Sequence, residues 1–163
     1  MSRSASITSP WSTTICCGRL HRNFQGYTTD AADALIGLSA SSIGRLPQGH
    51  VQNAPDVGSY MRAIDGGRFA VAKGLAFSPD DLQRARIIER LMCDFAVDLD
   101  AEAGATEFSP ELDAVDALAA SAIVSRHGRQ IAVTEKGRPF VRLVAAAFDA
   151  HLLQNHRRHS VAV

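Results

Sequence analysis

The residue types best suited to metal or redox chemistry in this sequence are three cysteines and six histidines. Cys16 and Cys17 are adjacent and Cys93 lies far along the chain, so they lack the short Cys-x-x-Cys spacing that brings thiolates to one metal. The histidines from His151 onward are five and three residues apart, unlike the i, i+4 pair of a helical zinc site. We interpret the cysteines as reduced thiols and expect no metal site.

Carboxylates and glycines offer two further kinds of chemistry. Asp94, Asp98 and Asp100 are close in sequence, but at the end of a predicted helix such residues are typical of a solvated face. Gly66-Gly67 and the other glycines lack both the Gly-x-x-x-x-Gly-Lys and the Gly-x-Gly-x-x-Gly spacing of phosphate-binding loops. The residues alone therefore predict no catalytic group.

Composition sets the protein class. The 163 residues are 46% apolar and 21% charged, which favours a globular domain and excludes a largely disordered chain. Seventeen Lys and Arg balance seventeen Asp and Glu, so no net charge draws the chain to nucleic acid or an anionic membrane. The longest apolar run, 143–148, is far shorter than the roughly 20 residues of a membrane span. Residues 1–17 lack a signal-peptide core, and we expect a cytoplasmic protein.

Two start signals predict the main helices. Ser78-Pro79-Asp80-Asp81 combines a capping hydroxyl, a proline at the first helical position and acids near the positive end of the helix dipole. Ser109-Pro110-Glu111 repeats that pattern before a second helix, which we expect to reach Ile123. The first helix should bury a stripe of apolar residues at spacings of three and four: Leu82, Ala85, Ile88, Leu91, Met92 and Phe95.

The rest of the chain is predicted from shorter signals. Residues 123–126 and 130–133 flank His127-Gly128 and resemble a β-hairpin, followed by a turn at 134–137. A last helix is expected from Pro139 through Leu152. Nearer the start, residues 23–28 look extended, and Asp30 is expected to cap a short helix over 31–37.

The order helix, helix, hairpin, helix is compatible with a winged-helix-like module, which raises nucleic-acid binding as one function class. The candidate recognition helix, 110–123, carries Glu111, Asp113 and Asp116 and has no Lys or Arg. Phosphates should repel such a helix. We therefore expect no nucleic-acid partner and keep this class as the less favoured alternative.

A family resemblance goes further than the individual residues. The run 20–29, Leu-His-Arg-Asn-Phe-Gln-Gly-Tyr-Thr-Thr, resembles the signature block of bacterial oxygen-independent coproporphyrinogen III oxidases, radical S-adenosylmethionine enzymes of haem biosynthesis. Residues 19–163 correspond to the C-terminal third of that family. The further matches follow in family order: Leu35-Ile36-Gly37, Ser42-Ile43, Gln52-Asn53, Ser78-Pro79-Asp80-Asp81, the block 88–95, Val133-Thr134, Gly137-Arg138 and Phe148-Asp149.

The resemblance implies a reaction that this chain is not equipped to perform alone. The family oxidatively decarboxylates two propionates of coproporphyrinogen III to vinyl groups, using S-adenosylmethionine and a 4Fe-4S cluster held by Cys-x-x-x-Cys-x-x-Cys in an N-terminal barrel. That motif is absent from this sequence. We expect the isolated chain to be inactive, to hold neither the cluster nor another cofactor, and to meet coproporphyrinogen III only in an intact enzyme. The alternative is an accessory module that completes a separately encoded barrel.

The resemblance also implies binding residues and a division of the chain. Phe24, Gln25 and Ile43 match positions near S-adenosylmethionine, whereas no catalytic or metal-binding residue is expected. The fold class should be α+β and mainly α. We expect a non-family leader at 1–18, a remnant of the barrel end at 19–55 and a helical, winged-helix-like domain with one hairpin at 56–163.

A chain without its barrel should expose side chains that once lay at a domain boundary. The helical part from 78 to about 155 keeps its own apolar faces, and we expect it to fold alone. The residues expected to lose partners are Phe24, Tyr27, Leu35, Ile36, Leu38, Ile43 and Leu46.

Overall fold

A computed structural model describes residues 20–23 and 26–152, and the expected leader at 1–18 lies outside them. In chain order the elements are β1 (His21–Asn23), β2 (Gly26–Thr28), β3 (Ile43–Leu46), β4 (Gly49–Asn53), α1 (Val57–Asp65), β5 (Val71–Ala76), α2 (Pro79–Asp94), β6 (Ala96–Asp98), α3 (Leu99–Ala103), α4 (Ser109–Ala119), β7 (Val124–His127), β8 (Gln130–Val133), a 3-10 turn (Arg138–Phe140) and α5 (Val141–Ala146). The described residues thus combine five α-helices with small antiparallel sheets, as expected for an α+β chain.

The chain divides into two compact units. Among the described residues, 30–80 form one, called the 30–80 unit below; 20–23, 26–29 and 81–152 belong to the other, called the core unit. The division expected from the resemblance, at residue 55, stays a prediction.

The 30–80 unit is built on a three-stranded sheet in the order β3-β4-β5. Gly49 on β4 is required by close packing, because a Cβ there would lie 2.1 Å from the carbonyl oxygen of Leu75 on β5. Helix α1 connects β4 to β5 and is capped by Asp56, whose carboxylate accepts a 2.7 Å hydrogen bond from the Ser59 N–H. That hydrogen bond holds the pKa of Asp56 below its usual value.

The short helix predicted over 31–37 is wrong. Asp30 accepts a hydrogen bond from the Ala32 N–H at 3.0 Å, two residues on, which is a turn that competes with helix formation. Leu35 then pairs with Arg45 of β3 through two backbone hydrogen bonds of 2.7 and 2.8 Å. The backbone of this segment therefore bonds to the sheet.

Both helices predicted from their start signals are present, with two corrections. α2 begins at Pro79 as expected, and Leu91 and Met92 of the predicted stripe are buried. Ile87, which was not predicted, is also buried, whereas Leu82 is 37% exposed, so the first half of the buried face differs from the predicted stripe. α4 begins at Ser109 without a side-chain cap and ends at Ala119, before the predicted Ile123. Ala122 has φ of 58°, which is incompatible with a continuing right-handed helix.

The predicted hairpin is confirmed as β7 and β8, and β6 adds a third strand in the order β6-β8-β7. The turn after β8 is also present, since the Gly137 N–H donates to the Thr134 carbonyl at 2.9 Å. A Cβ on Gly137 would lie 1.9 Å from the carbonyl oxygen of Ile123, so only glycine fits there.

The main hydrophobic cluster lies within residues 87–148 of the core unit. Its largest fully buried side chains are Phe108 and Phe148, whose rings meet edge to face at 5.8 Å. The last helix is shorter than predicted: a 3-10 turn precedes α5, and Leu152 lies beyond the helix with 44% exposure. The position of this cluster supports the expectation that the residues from 78 onward have an apolar core of their own.

Candidate functional site

Only one of the three binding residues predicted from the resemblance lies among the described residues. Phe24 and Gln25 lie outside the described residues. Ile43 is the first residue of β3, pairs with Gln52 of β4 and is 38% exposed. One half-exposed isoleucine forms no ligand site, so the S-adenosylmethionine assignment of these residues stays a prediction.

The strands β1 and β2, which flank residues 24 and 25 in sequence, contact Glu89 of α2 within the core unit. The Glu89 Oε1 atom lies 3.2 Å from His21 Nδ1 and accepts a 3.4 Å hydrogen bond from the Arg22 N–H. Within the hairpin, the Gly26 N–H donates to Asn23 Oδ1 at 3.2 Å, and Gly26 has φ of 136°. Gly26 thus supplies a conformation that other residues rarely adopt.

The thiol of Cys93 does not fit a cluster ligand. It is 1% exposed at the end of α2, and burial, assisted by the nearby Glu89 and Asp94 carboxylates, raises its pKa to about 11. Metal ligation needs the thiolate, which this environment disfavours. Cys16 and Cys17 lie outside the described residues, and the described part of the chain contains no group of three or more His, Cys, Asp or Glu residues placed to hold a metal ion.

An apolar cavity of about 680 Å³ lies among the described residues of the 30–80 unit. Five of its lining side chains are at least 47% exposed, and we call them the apolar face: Ile36, Leu38, Ile64, Phe69 and Val71. Phe69 is 94% exposed and Leu38 is 80% exposed. A soluble domain rarely presents so many large apolar side chains side by side unless a partner or ligand covers them.

Uncharged polar groups hold the wall of this cavity in place through hydrogen bonds. Asn53 Nδ2 donates to the carbonyls of Gly37 and Ser39 at 3.0 Å each, and the Tyr60 hydroxyl accepts a 3.2 Å hydrogen bond from the Ser39 N–H. These bonds tie the loop before β3 to β4 and α1. No Asp, Glu, Lys, Arg or His lies among the lining residues that the structure describes, so the cavity suits an uncharged apolar occupant.

The exposure predicted from the resemblance is confirmed in part. Tyr27, Ile36, Leu38 and Ile43 are exposed, whereas Leu35 and Leu46 are half-buried against the sheet. The prediction missed the larger contribution of Phe69, Ile64 and Val71. Ile64 continues the helical spacing of Val57, Tyr60 and Met61, an amphipathic signal that sequence reasoning overlooked. Phe69 lies between α1 and β5, and Val71 begins a strand that is exposed throughout, so no periodicity marked these two residues.

The helix considered for nucleic-acid recognition carries acidic groups engaged in ion pairs. Asp116 of α4 accepts a 2.5 Å hydrogen bond from Arg126 Nε of β7, which holds the pKa of Asp116 below its usual value. Glu111 pairs with Arg84 of α2 at 2.7 Å. Arginines of β7 and α2 thus form ion pairs with two carboxylates of α4.

The helices of the described residues were compared with the length and apolar character that a membrane span requires. Among residues 20–23 and 26–152, none forms part of a helix long and apolar enough to cross a bilayer.

Comparison with known proteins identifies the relatives. No family model matches the chain. The chain is 46% identical over 149 residues to an oxygen-independent coproporphyrinogen III oxidase from Bradyrhizobium diazoefficiens, covering 88% of this chain and 33% of the relative. It is 45% identical over 139 residues to the oxidase from Cereibacter sphaeroides, covering 83% and 31% respectively. The chain therefore spans about a third of the length of the curated relatives it matches.

A solved structure agrees with these matches. The coproporphyrinogen III oxidase of Escherichia coli, described as a radical S-adenosylmethionine enzyme, matches with a TM-score of 0.81 and 31% identity, over 88% of this chain and 35% of that chain. The fold is thus that of one segment of a radical S-adenosylmethionine enzyme. In particular, the chain is homologous to the C-terminal portion of oxygen-independent coproporphyrinogen III oxidase, as the run 20–29 predicts.

Proposed function

We propose that this chain supplies the C-terminal part of an oxygen-independent coproporphyrinogen III oxidase, and that it takes part in porphyrin and haem biosynthesis only together with a catalytic barrel. The observation that carries the proposal is the 46% identity over 149 residues, restricted to a third of the relative's length. On its own the chain is inactive, because its sequence lacks the Cys-x-x-x-Cys-x-x-Cys motif.

The cofactors belong to the assembled enzyme. A 4Fe-4S cluster and S-adenosylmethionine supply the radical that such enzymes use, and the thiolates for the cluster have to come from the barrel. This chain's one described cysteine is buried with a raised pKa and is unsuited to ligation. Coproporphyrinogen III is the substrate of the assembled enzyme, and this chain contributes no catalytic residue of its own.

Residues near the start of the chain are proposed to line the S-adenosylmethionine site once the barrel is present. The Gln25 amide can donate to and accept from a polar ligand, while Phe24 and Ile43 supply apolar walls that exclude water. Support comes from the family match of the run 20–29 and from the exposure of Ile43. The alternative for Phe24 and Ile43 is packing against the barrel.

A second candidate function is that of an accessory module that completes a separately encoded barrel in trans. The apolar face favours it, because an uncharged cavity bordered by Phe69 and Leu38 is suited to a protein partner. A cytoplasmic location accompanies either function.

The winged-helix-like description is proposed for residues 79–148. Its support is the order α2, α4, β7, β8 and α5, with β6 added to the small sheet. A nucleic-acid partner is not proposed, since α4 carries only acidic charge.

An assay of mixed polypeptides tests the proposed function. The Bradyrhizobium relative, truncated to remove the third that this chain matches, is reconstituted anaerobically with iron, sulfide, S-adenosylmethionine and coproporphyrinogen III. We expect protoporphyrinogen IX only when this chain is added. Product formation that does not depend on the added chain, or none with it, would contradict the proposal.

A further inference from the structure

The loop of residues 37–42, called the 37–42 loop below, has an unusual backbone conformation. Two of its residues, Ser39 and Ser41, have φ of 81° and 59°. Residues other than glycine rarely adopt such left-handed values, because the side chain then crowds the backbone. Such a conformation persists only where the surrounding structure fixes it, and it is typical of segments that position functional groups.

We propose that Asn53 and Tyr60 are positioning residues, which hold the 37–42 loop in this conformation and thereby fix Ile43 for contact with S-adenosylmethionine. This inference rests on the proposed function, which assigns Ile43 to the S-adenosylmethionine site. It deepens that function, because it gives a role to two side chains that act through another residue.

Asn53 is the last residue of β4 and binds the loop at three points. Its Nδ2 atom donates to the carbonyls of Gly37 and Ser39, at 3.0 Å each. Its backbone N–H donates to the Ser42 carbonyl, also at 3.0 Å. One half-buried residue thus contacts the start, the middle and the end of the loop.

Tyr60 of α1 binds the same left-handed residue as Asn53 does. Its hydroxyl accepts a 3.2 Å hydrogen bond from the Ser39 N–H, whereas Asn53 donates to the Ser39 carbonyl. Both backbone polar groups of Ser39 therefore have side-chain partners, which restrict the two peptide planes around it. The other left-handed residue, Ser41, donates its N–H to the Ala54 carbonyl at 2.8 Å.

Ile43 depends on this loop because the backbone of Gly37 packs directly against it. A Cβ on Gly37 would lie 3.0 Å from both the carbonyl carbon and the carbonyl oxygen of Ile43. Asn53 binds the Gly37 carbonyl, so it holds this close contact in place. Ile43 is also the first residue of β3, next to the loop. Release of the loop should therefore affect Ile43 more than the later residues of β3.

Hydrogen exchange of the free chain tests the hold on the loop without any cofactor. Asn53→Ala removes both side-chain hydrogen bonds, so the Ser41 amide should exchange at least about fivefold faster, while the amides of α2 keep their protection. Asn53→Asp keeps the size of the side chain but has no amide donor, and it should have the same effect. Tyr60→Phe should accelerate exchange of the Ser39 amide.

Glycine substitutions distinguish backbone strain from a general loss of packing. Ser39→Gly, added to Asn53→Ala, should bring exchange at Ser41 to within about twofold of the wild type, since glycine adopts φ near 81° without steric cost. Ala40→Gly is the matched control and should give no rescue, because Ala40 is not among the described residues with a left-handed φ. Equal rescue by both glycines, or unchanged exchange at Ser41 in Asn53→Ala, would overturn the inference.

The mixed assay with the truncated Bradyrhizobium relative tests whether the loop acts on the S-adenosylmethionine site. We expect Asn53→Ala to raise the KM for S-adenosylmethionine about tenfold and to change kcat less than about twofold, because Ile43 contributes to binding. Addition of Ser39→Gly should restore the KM. A lower kcat with an unchanged KM would show a merely structural role and would overturn the inference.

The wild-type chain in the same assay separates this inference from the proposed function. No product with the wild-type chain would contradict the proposed function, and the role of Asn53 at the S-adenosylmethionine site would fall with it. Product with the wild-type chain and an unchanged KM for Asn53→Ala would leave the proposed function and overturn only the positioning role.

Discussion

Arg84 of α2 and Glu111 of α4 form an ion pair of 2.7 Å whose side chains are only 18% and 14% exposed. The same Arg84 Nη1 donates to the Phe148 carbonyl at 3.2 Å, and its guanidinium lies 5.3 Å from the centre of the Phe108 ring. One arginine thereby joins α2, α4 and the turn that follows α5 at the edge of the hydrophobic core.

Replacement of Arg84 should therefore destabilise the core unit. We expect Arg84→Ala to lower the free energy of unfolding by about 1–3 kcal/mol, because Glu111 and the Phe148 carbonyl lose a shared donor in a largely desolvated place. Urea denaturation followed by circular dichroism measures it. Arg86→Ala is the control: Arg86 is 54% exposed, its Nε lies 3.9 Å from the Glu102 carboxylate, and its Nη2 donates to the Glu102 carbonyl at 3.3 Å. Because these contacts are at the exposed surface, their loss should cost less than about 0.5 kcal/mol. Equal losses would contradict the assigned role of Arg84.

Two glycines should respond differently to the same substitution. Gly137→Ala places a Cβ 1.9 Å from the Ile123 carbonyl oxygen, so the backbone has to move, at a cost of about 3 kcal/mol. Gly128→Ala meets no atom within 4 Å but has φ of 62°, at a cost of about 1 kcal/mol. Thermal unfolding of both variants checks the order, and a Gly128 variant less stable than the Gly137 variant would disprove the packing argument.

The buried thiol predicts a stability change at alkaline pH. The unfolded chain loses the Cys93 proton near its ordinary pKa of 9.0, whereas the folded chain keeps it to about 11. Below pH 9 the contribution of Cys93 to the free energy of unfolding therefore has its full value. This contribution is lost as the pH rises from 9 to about 11, because the unfolded state binds fewer protons than the folded state in that range. Denaturation of a Cys16→Ser, Cys17→Ser variant between pH 8 and 11 tests this by comparison with the same variant carrying Cys93→Ala. The same dependence of the free energy of unfolding on pH in both variants would contradict this prediction.

The contact between Glu89 and the hairpin predicts a local change in protection. Glu89→Ala removes the acceptor for the Arg22 N–H and the partner of His21, so amides of β1 and β2 should exchange faster with deuterium while the helix α4 keeps its protection. Glu89→Gln keeps an acceptor and should have a smaller effect. Unchanged exchange in β1 and β2 with the alanine variant would show that other contacts hold the hairpin.

Local start signals predicted the helices better than periodicity predicted their buried faces. Pro79 and the acids after it set the start of α2, because a proline and a favourable dipole act within one turn. In the same helix Leu91 and Met92 are buried as the periodicity predicts, but the burial of Ile87 instead of Leu82 depends on packing against distant residues such as Phe108 and Phe148. That packing has no local sequence signal.

The sheet of the 30–80 unit was missed for a related reason. β5 reads Val-Ala-Lys-Gly-Leu-Ala and is exposed on every residue, so it lacks the alternation of apolar and polar residues that marks a half-buried strand. Its pairing with β4 comes from tertiary contacts, including the close approach of Gly49 to Leu75. The apolar face was partly foreseen at Ile36 and Leu38 because the family resemblance predicted a lost domain boundary.

Anaerobic reconstitution of the purified chain alone, with iron, sulfide, S-adenosylmethionine and coproporphyrinogen III, tests the central claim most directly. We expect neither a stoichiometric iron–sulfur centre by absorption and electron paramagnetic resonance nor 5′-deoxyadenosine by chromatography, because the sequence has no cluster-binding motif and Cys93 is buried as a thiol. A stoichiometric 4Fe-4S cluster accompanied by 5′-deoxyadenosine and protoporphyrinogen IX would contradict it.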